Sequence, residues 1–527
     1  MPEVRDVDVL ILGGGINGCG TFRELCAQGV NCLLLERTDF CAGASAASSR
    51  LMHGGLKYLE TGEFRLVRES AEERNRLLKN AAHYVRPLPS ILPLRSRFGG
   101  ILPSVLRFFR LKAALNDRGT LITRLGLTLY DLYGRNFRAM PTHRMLSRAE
   151  LGRRVAGLDK GVIGAGLYYE GQLSHAERLG LELVLDGEAL HPGARALNYV
   201  TVTGQQDGIV TYRHAGQVHR VRPRIVVNAG GAWIDRVNAT LGLETQLMGG
   251  SKGAHLVVEN IALYEALNGH MVYFGTADGR VNLLYPFMGK VLIGSTDIKI
   301  DDPDAAVCDQ EEADYMRAAV AEVFPGIPVT EDQIRHRFSG VRPLPRADGE
   351  IGLVTRDHSI EQYALPSGAP VLCLIGGKWT TFRSFSAQAT DRVLAHLGQV
   401  RQCGTEGMQI GGGKGYPTEA ERDAWIARCA RDTGVPAGRI DKLLERYGTR
   451  AAEIAARLGQ DRRLRSLPEY SREELAWLIR NERVGDVEDL LFRRTTIAIS
   501  GALTEAVRIE VTTLYDELSG SGRTAAG

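Results

Sequence analysis

Gly13, Gly15 and Gly18 stand in the spacing G-x-G-x-x-G within DVDVLILGGGINGCG, directly after the apolar run 7–12. That pattern is suited to holding a phosphate. The first glycine permits a tight turn, the second lets backbone approach a pyrophosphate, and the third packs a helix closely against a strand. The helix N-terminus adds free N–H donors and a positive dipole end. A second apolar run, 32–35, ends on Glu36, 18 residues beyond Gly18, where a carboxylate can accept hydrogen bonds from ribose hydroxyls. The combination predicts a strand, helix, strand unit that grips the ADP half of a dinucleotide. A glycine turn that merely tightened packing would leave Glu36 without a role. NAD and FAD share that half, and the glycines do not choose between them.

These residues need a scaffold. The chain of 527 residues is long enough for about two to four units, each with its own core. A net charge of +3 gives no whole-chain case for nucleic acid as a partner. The eight cysteines contain no C-x-x-C and several fall in apolar stretches, which predicts a reducing compartment. There is no signal-peptide pattern and no run of about 18 uncharged apolar residues, so a cytoplasmic location is expected, or attachment to a membrane face. No ligand set with metal spacing is found.

RIVVNAGGAW (224–233) and VLCLIGGKWTTF (371–382) each repeat the pattern of strand, Gly-Gly turn and helix. The predicted fold is therefore α/β: a Rossmann-like nucleotide unit assembled from discontinuous segments (1–90, 145–240 and 335–400). An antiparallel β substrate unit is expected at 241–334, where MVYFGTADGRVNLLYPFMGKVLIGSTD reads as a meander turning at Asp278-Gly279 and Met288-Gly289. Residues 63–85 read as an amphipathic helix and IGGGKGYP (410–417) as a linker. Residues 410–527 form a helical unit with capping boxes at Thr418/Glu421 and Ser471/Glu474, ending in a disordered SGSGRTAAG tail. Residues 91–144 are an insert. Within it, residues 95–124 carry seven basic side chains and one acid among many apolar ones, a composition that suits an anionic lipid surface.

Three small-residue segments, 42–55, 228–233 and 376–381, are candidates to cover the long ribityl and ring portion of a flavin. A helix starting after Gly376-Gly377, with Lys378 beside it, would place positive potential where a reduced flavin carries negative charge. At this point the order of GGGINGCG, SAASSRLMHGGLKYLETGEFRLV, KGAHLVV, IGSTD, FSGVRPL and GGKWTTFR resembles the FAD-dependent glycerol-3-phosphate dehydrogenases, within the flavoprotein class of D-amino-acid oxidase. The likeness covers residues 6 to 400. The helical part with DVEDLLFRRTTIA resembles that family's C-terminal domain more loosely.

The resemblance implies FAD as cofactor and oxidation of glycerol 3-phosphate to dihydroxyacetone phosphate. Hydride passes to flavin N5, and a quinone or oxygen takes the electrons. It carries over His255, Arg342 and Lys378 as catalytic residues and Lys57, Tyr58 and Arg356 as substrate ligands. The cofactor set becomes Gly13, Gly15, Gly18, Glu36, Ser48, Ser49, His53, Gly54, Gly377 and Thr380. A homodimer is an open expectation. Three stretches depart from the family pattern: Lys57 replaces an arginine, Ser174 and His175 stand where an aspartate is common, and NAGGAW replaces NATGPW. They keep a larger polyol phosphate, such as an erythritol phosphate, as an alternative substrate. A flavin-holding interaction protein without turnover is the alternative outside enzymes.

Overall fold

The computed structural model describes residues 3–55, 63–97, 119–134, 139–276, 278–346 and 357–523. Lys57, Tyr58, Arg356 and residues 98–118 of the basic insert lie outside them.

The N-terminal unit forms as predicted: β1 (Val4–Leu12), α1 (Ile16–Ala27) and β2 (Cys32–Leu35). Every residue of β2 is buried, as a parallel strand covered on both faces requires. Strands β2 and Gln217–Asn228 flank β1 in parallel, and Pro370–Ile375 lies parallel beside Gln217–Asn228. Segments more than three hundred residues apart thus make one sheet. Gly13, Ala229 and Gly376 all fall just beyond the carboxyl ends of its strands, where open α/β sheets bind ligands. α1 packs with helices Ala176–Leu190 and Phe382–Leu397 through Phe22, Leu25, Leu179, Leu183 and Phe385.

Among the described residues a second sheet, of ten strands, stands against the first. Towards one end of it Ser251–Val258, buried along its whole length, pairs antiparallel with Lys290–Gly294 and Ile334–Arg342. The predicted meander is Met271–Gly275, Val281–Phe287 and Lys290–Gly294, and Met288 and Gly289 both take positive φ at the second turn. This sheet also recruits Val85–Leu94, Arg144–Ser147 and Gly164–Leu173, so its strands come from a wider span than 241–334.

Four local expectations change. The helix predicted over 63–85 is Phe64–Asn80, centred on buried Val67, Ala71 and Leu77, because the chain must turn after Asn80 to enter the strand at Val85. The glycine cluster at 410–417 is a packed junction: a Cβ on Gly413 would meet Asn80 O at 2.8 Å, and Ile410 N donates to that oxygen at 2.8 Å. The last helix, Glu505–Arg523, runs into the segment expected to be disordered. Thr418 and Glu421 form the full capping box, whereas Glu474 sends its carboxylate to Arg439, Arg446 and Tyr447. All eight cysteines are unbridged. Among the described residues no helix is long and apolar enough to cross a membrane.

Candidate active site

A cavity of about 1180 Å³ opens between the carboxyl edge of the parallel sheet and the second sheet. It exceeds the roughly 300–1,000 Å³ typical of small-ligand sites, as a pocket for a dinucleotide plus a substrate must.

On the parallel-sheet side, Gly13 has φ +107°, and a Cβ there would lie 2.5 Å from Ala229 O. Only glycine fits. Gly18 abuts the Gly13 carbonyl, which is the packing role expected of the third glycine. At Gly15 a Cβ would meet only Ser45 Oγ, at 3.5 Å, so bare backbone faces the cavity. Glu36 sits at the end of β2, accepting from Gly14 N at 2.6 Å and Thr38 N at 2.8 Å. The small-residue segments supply much of the remaining wall, including 42–45, Ser48, Ser49, His53, 229–233, Gly377, Lys378 and Thr380. Asn17 Nδ2 donates to Gly376 O at 2.9 Å, tying α1 to the third segment, while Asn17 Oδ1 is buried without a protein partner. Bare backbone at Gly15, the carboxylate of Glu36 and this acceptor suit a dinucleotide.

On the opposite side, Ser251–Val258 presents His255. Its ring stacks on Phe338 (centroids 5.0 Å apart, planes at 9°), and Nε2 bonds Ser49 Oγ at 2.8 Å. Burial, reinforced by the charges of Arg342 and Arg50, pushes its pKa down to about 3, so the imidazole is neutral at ordinary pH. Arg342, from the adjacent strand, is braced by Asp297 Oδ1 (3.0 Å), Ser295 Oγ (2.9 Å), Thr296 O (3.0 Å) and Ser251 Oγ (3.3 Å). Its guanidinium rests over Gly253. Lys378 lines the same cavity from the parallel-sheet side.

Several predicted positions make other contacts. Gly54 is not among the lining residues; its N–H donates to Glu170 at 2.8 Å, and a Cβ would strike Tyr130 and Arg74. Ser49 faces His255, and Ser48 Oγ accepts from Arg50 N at 3.2 Å. Ser174 and His175 are likewise off the cavity wall, bonded to each other at 2.8 Å. Sequence reasoning missed Asp297 and Glu170. Glu170 is 1% exposed and accepts from Tyr130 Oη (2.9 Å) and Arg74 (3.3 Å), with His53 Nδ1 at 3.7 Å. Burial opposes its ionisation, but His53, Arg74 and the Gly54 N–H outweigh it and hold the carboxyl below its usual range. A lone acid in the apolar strand AGLYYEGQL was the available signal.

This fold and cavity suit a dinucleotide-dependent oxidoreductase, and the family match makes it a FAD-dependent one. Residues 8–383 match the family described as FAD dependent oxidoreductase, and residues 403–521 match the C-terminal domain of alpha-glycerophosphate oxidase. The chain is 33% identical to glycerol-3-phosphate dehydrogenase of Synechocystis sp., over 94% of its own length and 90% of that protein's. It is 31% identical to D-erythritol 1-phosphate dehydrogenase of Brucella abortus, over 98% and 99%. Its structure matches that of glycerol-3-phosphate dehydrogenase from Bacillus halodurans complexed with FAD, at 24% identity and a TM-score of 0.71, covering 98% and 94% of the two chains. The protein belongs to the FAD-dependent glycerol-3-phosphate dehydrogenase family and is a FAD-dependent polyol-phosphate dehydrogenase.

Proposed function

We propose that this enzyme oxidises the secondary alcohol of glycerol 3-phosphate to the ketone of dihydroxyacetone phosphate. The observation that carries the reading is that Arg342, Lys378 and His255 line one chamber with the glycine-rich cofactor wall. FAD, when bound, supplies the hydride acceptor. Arg342, held rigid by Asp297 and Ser295, offers the substrate phosphate its positive charge, and Lys378 adds to it. Lys57, Tyr58 and Arg356 join this anchor by family match. His255 receives the hydroxyl proton. Arg342 helps keep its pKa low, so a phosphate dianion on Arg342 offsets that charge and makes the imidazole more basic once substrate has arrived. His53, backed by the buried Glu170 carboxylate, stands across the same cavity as a second proton acceptor.

The Brucella relative supports a second reading, the same chemistry on an erythritol phosphate. Anaerobic bleaching of the flavin separates them: glycerol 3-phosphate and D-erythritol 1-phosphate are supplied in turn and kcat/KM for reduction is compared. Faster reduction by the four-carbon substrate would replace the first reading, and no bleaching by either would end both.

A quinone is the proposed electron acceptor, reached at a membrane surface. Helix Thr120–Tyr133 supports this: Leu121, Leu125 and Leu132 are each more than half exposed on one face, and the basic insert precedes it in the chain. Outward leucines on a helix that also exposes Arg124 suit lipid and head groups.

A further inference from the structure

We propose that the C-terminal helical unit completes the dinucleotide pocket, with Asp486, Glu488 and Arg493 forming the wall at its adenosine end and Asp39 fastening them there. The proposal rests on the FAD reading and gives a ligand-binding role to the DVEDLLFRR segment.

The adenosine end is located by Glu36. Backbone bonds from Val200 N to Glu36 O and from Tyr199 N to Thr38 O, both 2.8 Å, bring the 199–200 segment beside it. Glu36, Thr38, Tyr199 and Val200 line the cavity there, and Asp486, Glu488 and Arg493 line the same cavity from the far end of the chain. The chemistry is suited to the position. Carboxylates accept hydrogen bonds from ribose hydroxyls or an adenine amine, and would repel a pyrophosphate, which the glycine turn takes instead.

The fastening is unusually strong for a contact between units. Asp39, three residues beyond Glu36 and 1% exposed, accepts from Arg493 Nε (2.6 Å), Arg494 Nη1 (2.6 Å) and Nη2 (2.8 Å), and Asn198 Nδ2 (3.0 Å). Arg493 Nη2 also donates to Asp489 Oδ1 at 2.6 Å, and Tyr199 Oη donates to the same oxygen at 2.6 Å. Arg493 therefore touches the cavity, the nucleotide unit and the helical unit together. Removing one member of such a buried pair leaves an uncompensated charge, so the array holds as a whole or lets go. Coupling of this kind is reciprocal: if the docked wall strengthens cofactor binding by some factor, bound cofactor strengthens docking by the same factor.

The test uses full-length protein stripped of flavin. FAD affinity is measured by quenching of flavin fluorescence, and amide hydrogen exchange across residues 482–498 is followed with and without FAD. FAD should slow exchange there in the wild type, and Arg493→Gln should weaken FAD binding at least tenfold. Arg439→Gln breaks a buried pair with Glu474 inside the helical unit and is the control; it should lower thermal stability while changing FAD affinity less than twofold. Unchanged exchange on FAD binding, unchanged affinity in Arg493→Gln, or equal weakening in Arg439→Gln each overturns the proposal. If Arg493→Gln does not fold, Glu488→Gln and the wild-type exchange measurement still decide it. Failure of the wild-type chain to bind FAD at all would strike the flavin reading instead.

Discussion

Gly253→Ala tests the phosphate anchor without removing any polar group from the cavity. Gly253 lies in the middle of the strand Ser251–Val258, buried, and does not need the left-handed region, so alanine brings no backbone strain. The added methyl would lie 2.6 Å from Arg342 Nη1 and closer still to Cζ and Nη2. Ordinary non-bonded separation is about 3.5–4 Å, so the guanidinium must retreat by about 1 Å or more. Its bonds to Ser295 Oγ and Thr296 O, now 2.9 and 3.0 Å, then stretch past hydrogen-bond range. Misplacing an anchoring group by about 1 Å lowers rate by about 100-fold, equivalent to about 2.7 kcal/mol of transition-state binding. The assay is stopped-flow reduction of the bound flavin by glycerol 3-phosphate under anaerobic conditions, with the flavin spectrum as control for an intact cofactor site. In an Arg342→Ala background the same alanine should cost far less, because the side chain it strikes is gone. Undiminished kcat/KM in Gly253→Ala, or an equal loss in both backgrounds, would refute the assignment of Arg342.

Glu170→Gln should remove the charge that compensates buried Arg74, destabilising the protein by about 3–5 kcal/mol in denaturant unfolding, and should slow flavin reduction through His53; wild-type stability and rate together would exclude the role given to Glu170. The buried imidazole of His255 predicts an acid-labile term. Its folded-state pKa, about 3, lies below the unfolded value of about 6.5, so the unfolded chain takes the proton first. Stability is then full above about pH 6.5 and falls by about 1.4 kcal/mol for each pH unit below it until about pH 3. Urea unfolding at pH 7 and pH 5 should therefore show His255→Asn losing about 2 kcal/mol less than wild type over that interval, and identical losses would mean the ring is not held neutral. Leu121→Ser combined with Leu125→Ser should reduce partition onto anionic phospholipid vesicles at least tenfold while leaving turnover with a soluble electron acceptor unchanged; unaltered sedimentation with vesicles would detach this helix from the membrane.

The cofactor side of the cavity was legible in the sequence because its demands are local. A pyrophosphate needs bare backbone, and bare backbone is written as glycine: Gly13, Gly15 and Gly18 are adjacent in the chain, and Glu36 follows at the distance one helix imposes. The same need for small residues marked 228–233 and 376–381, although these lie hundreds of residues away. Glycine is ambiguous where freedom and lack of space look alike, which is why 410–417 read as a linker and is a packed junction. Alternation identifies a strand without saying which sheet it joins, so the strands Val85–Leu94 and Gly164–Leu173 could not be assigned from pattern. The substrate side is harder still, since its geometry is set by pairs from distant segments. Arg342 and His255 can be picked out singly, but Asp297 bracing one and Ser49 holding the other become visible only when the strands are laid side by side. Selectivity between a three-carbon and a four-carbon phosphate depends on where those braced groups hold the phosphate relative to the hydride acceptor. Substrate choice is therefore governed by the part of this molecule that single positions in the chain encode least, and variants at Asp297 and Ser295 should shift it more than variants at the glycines.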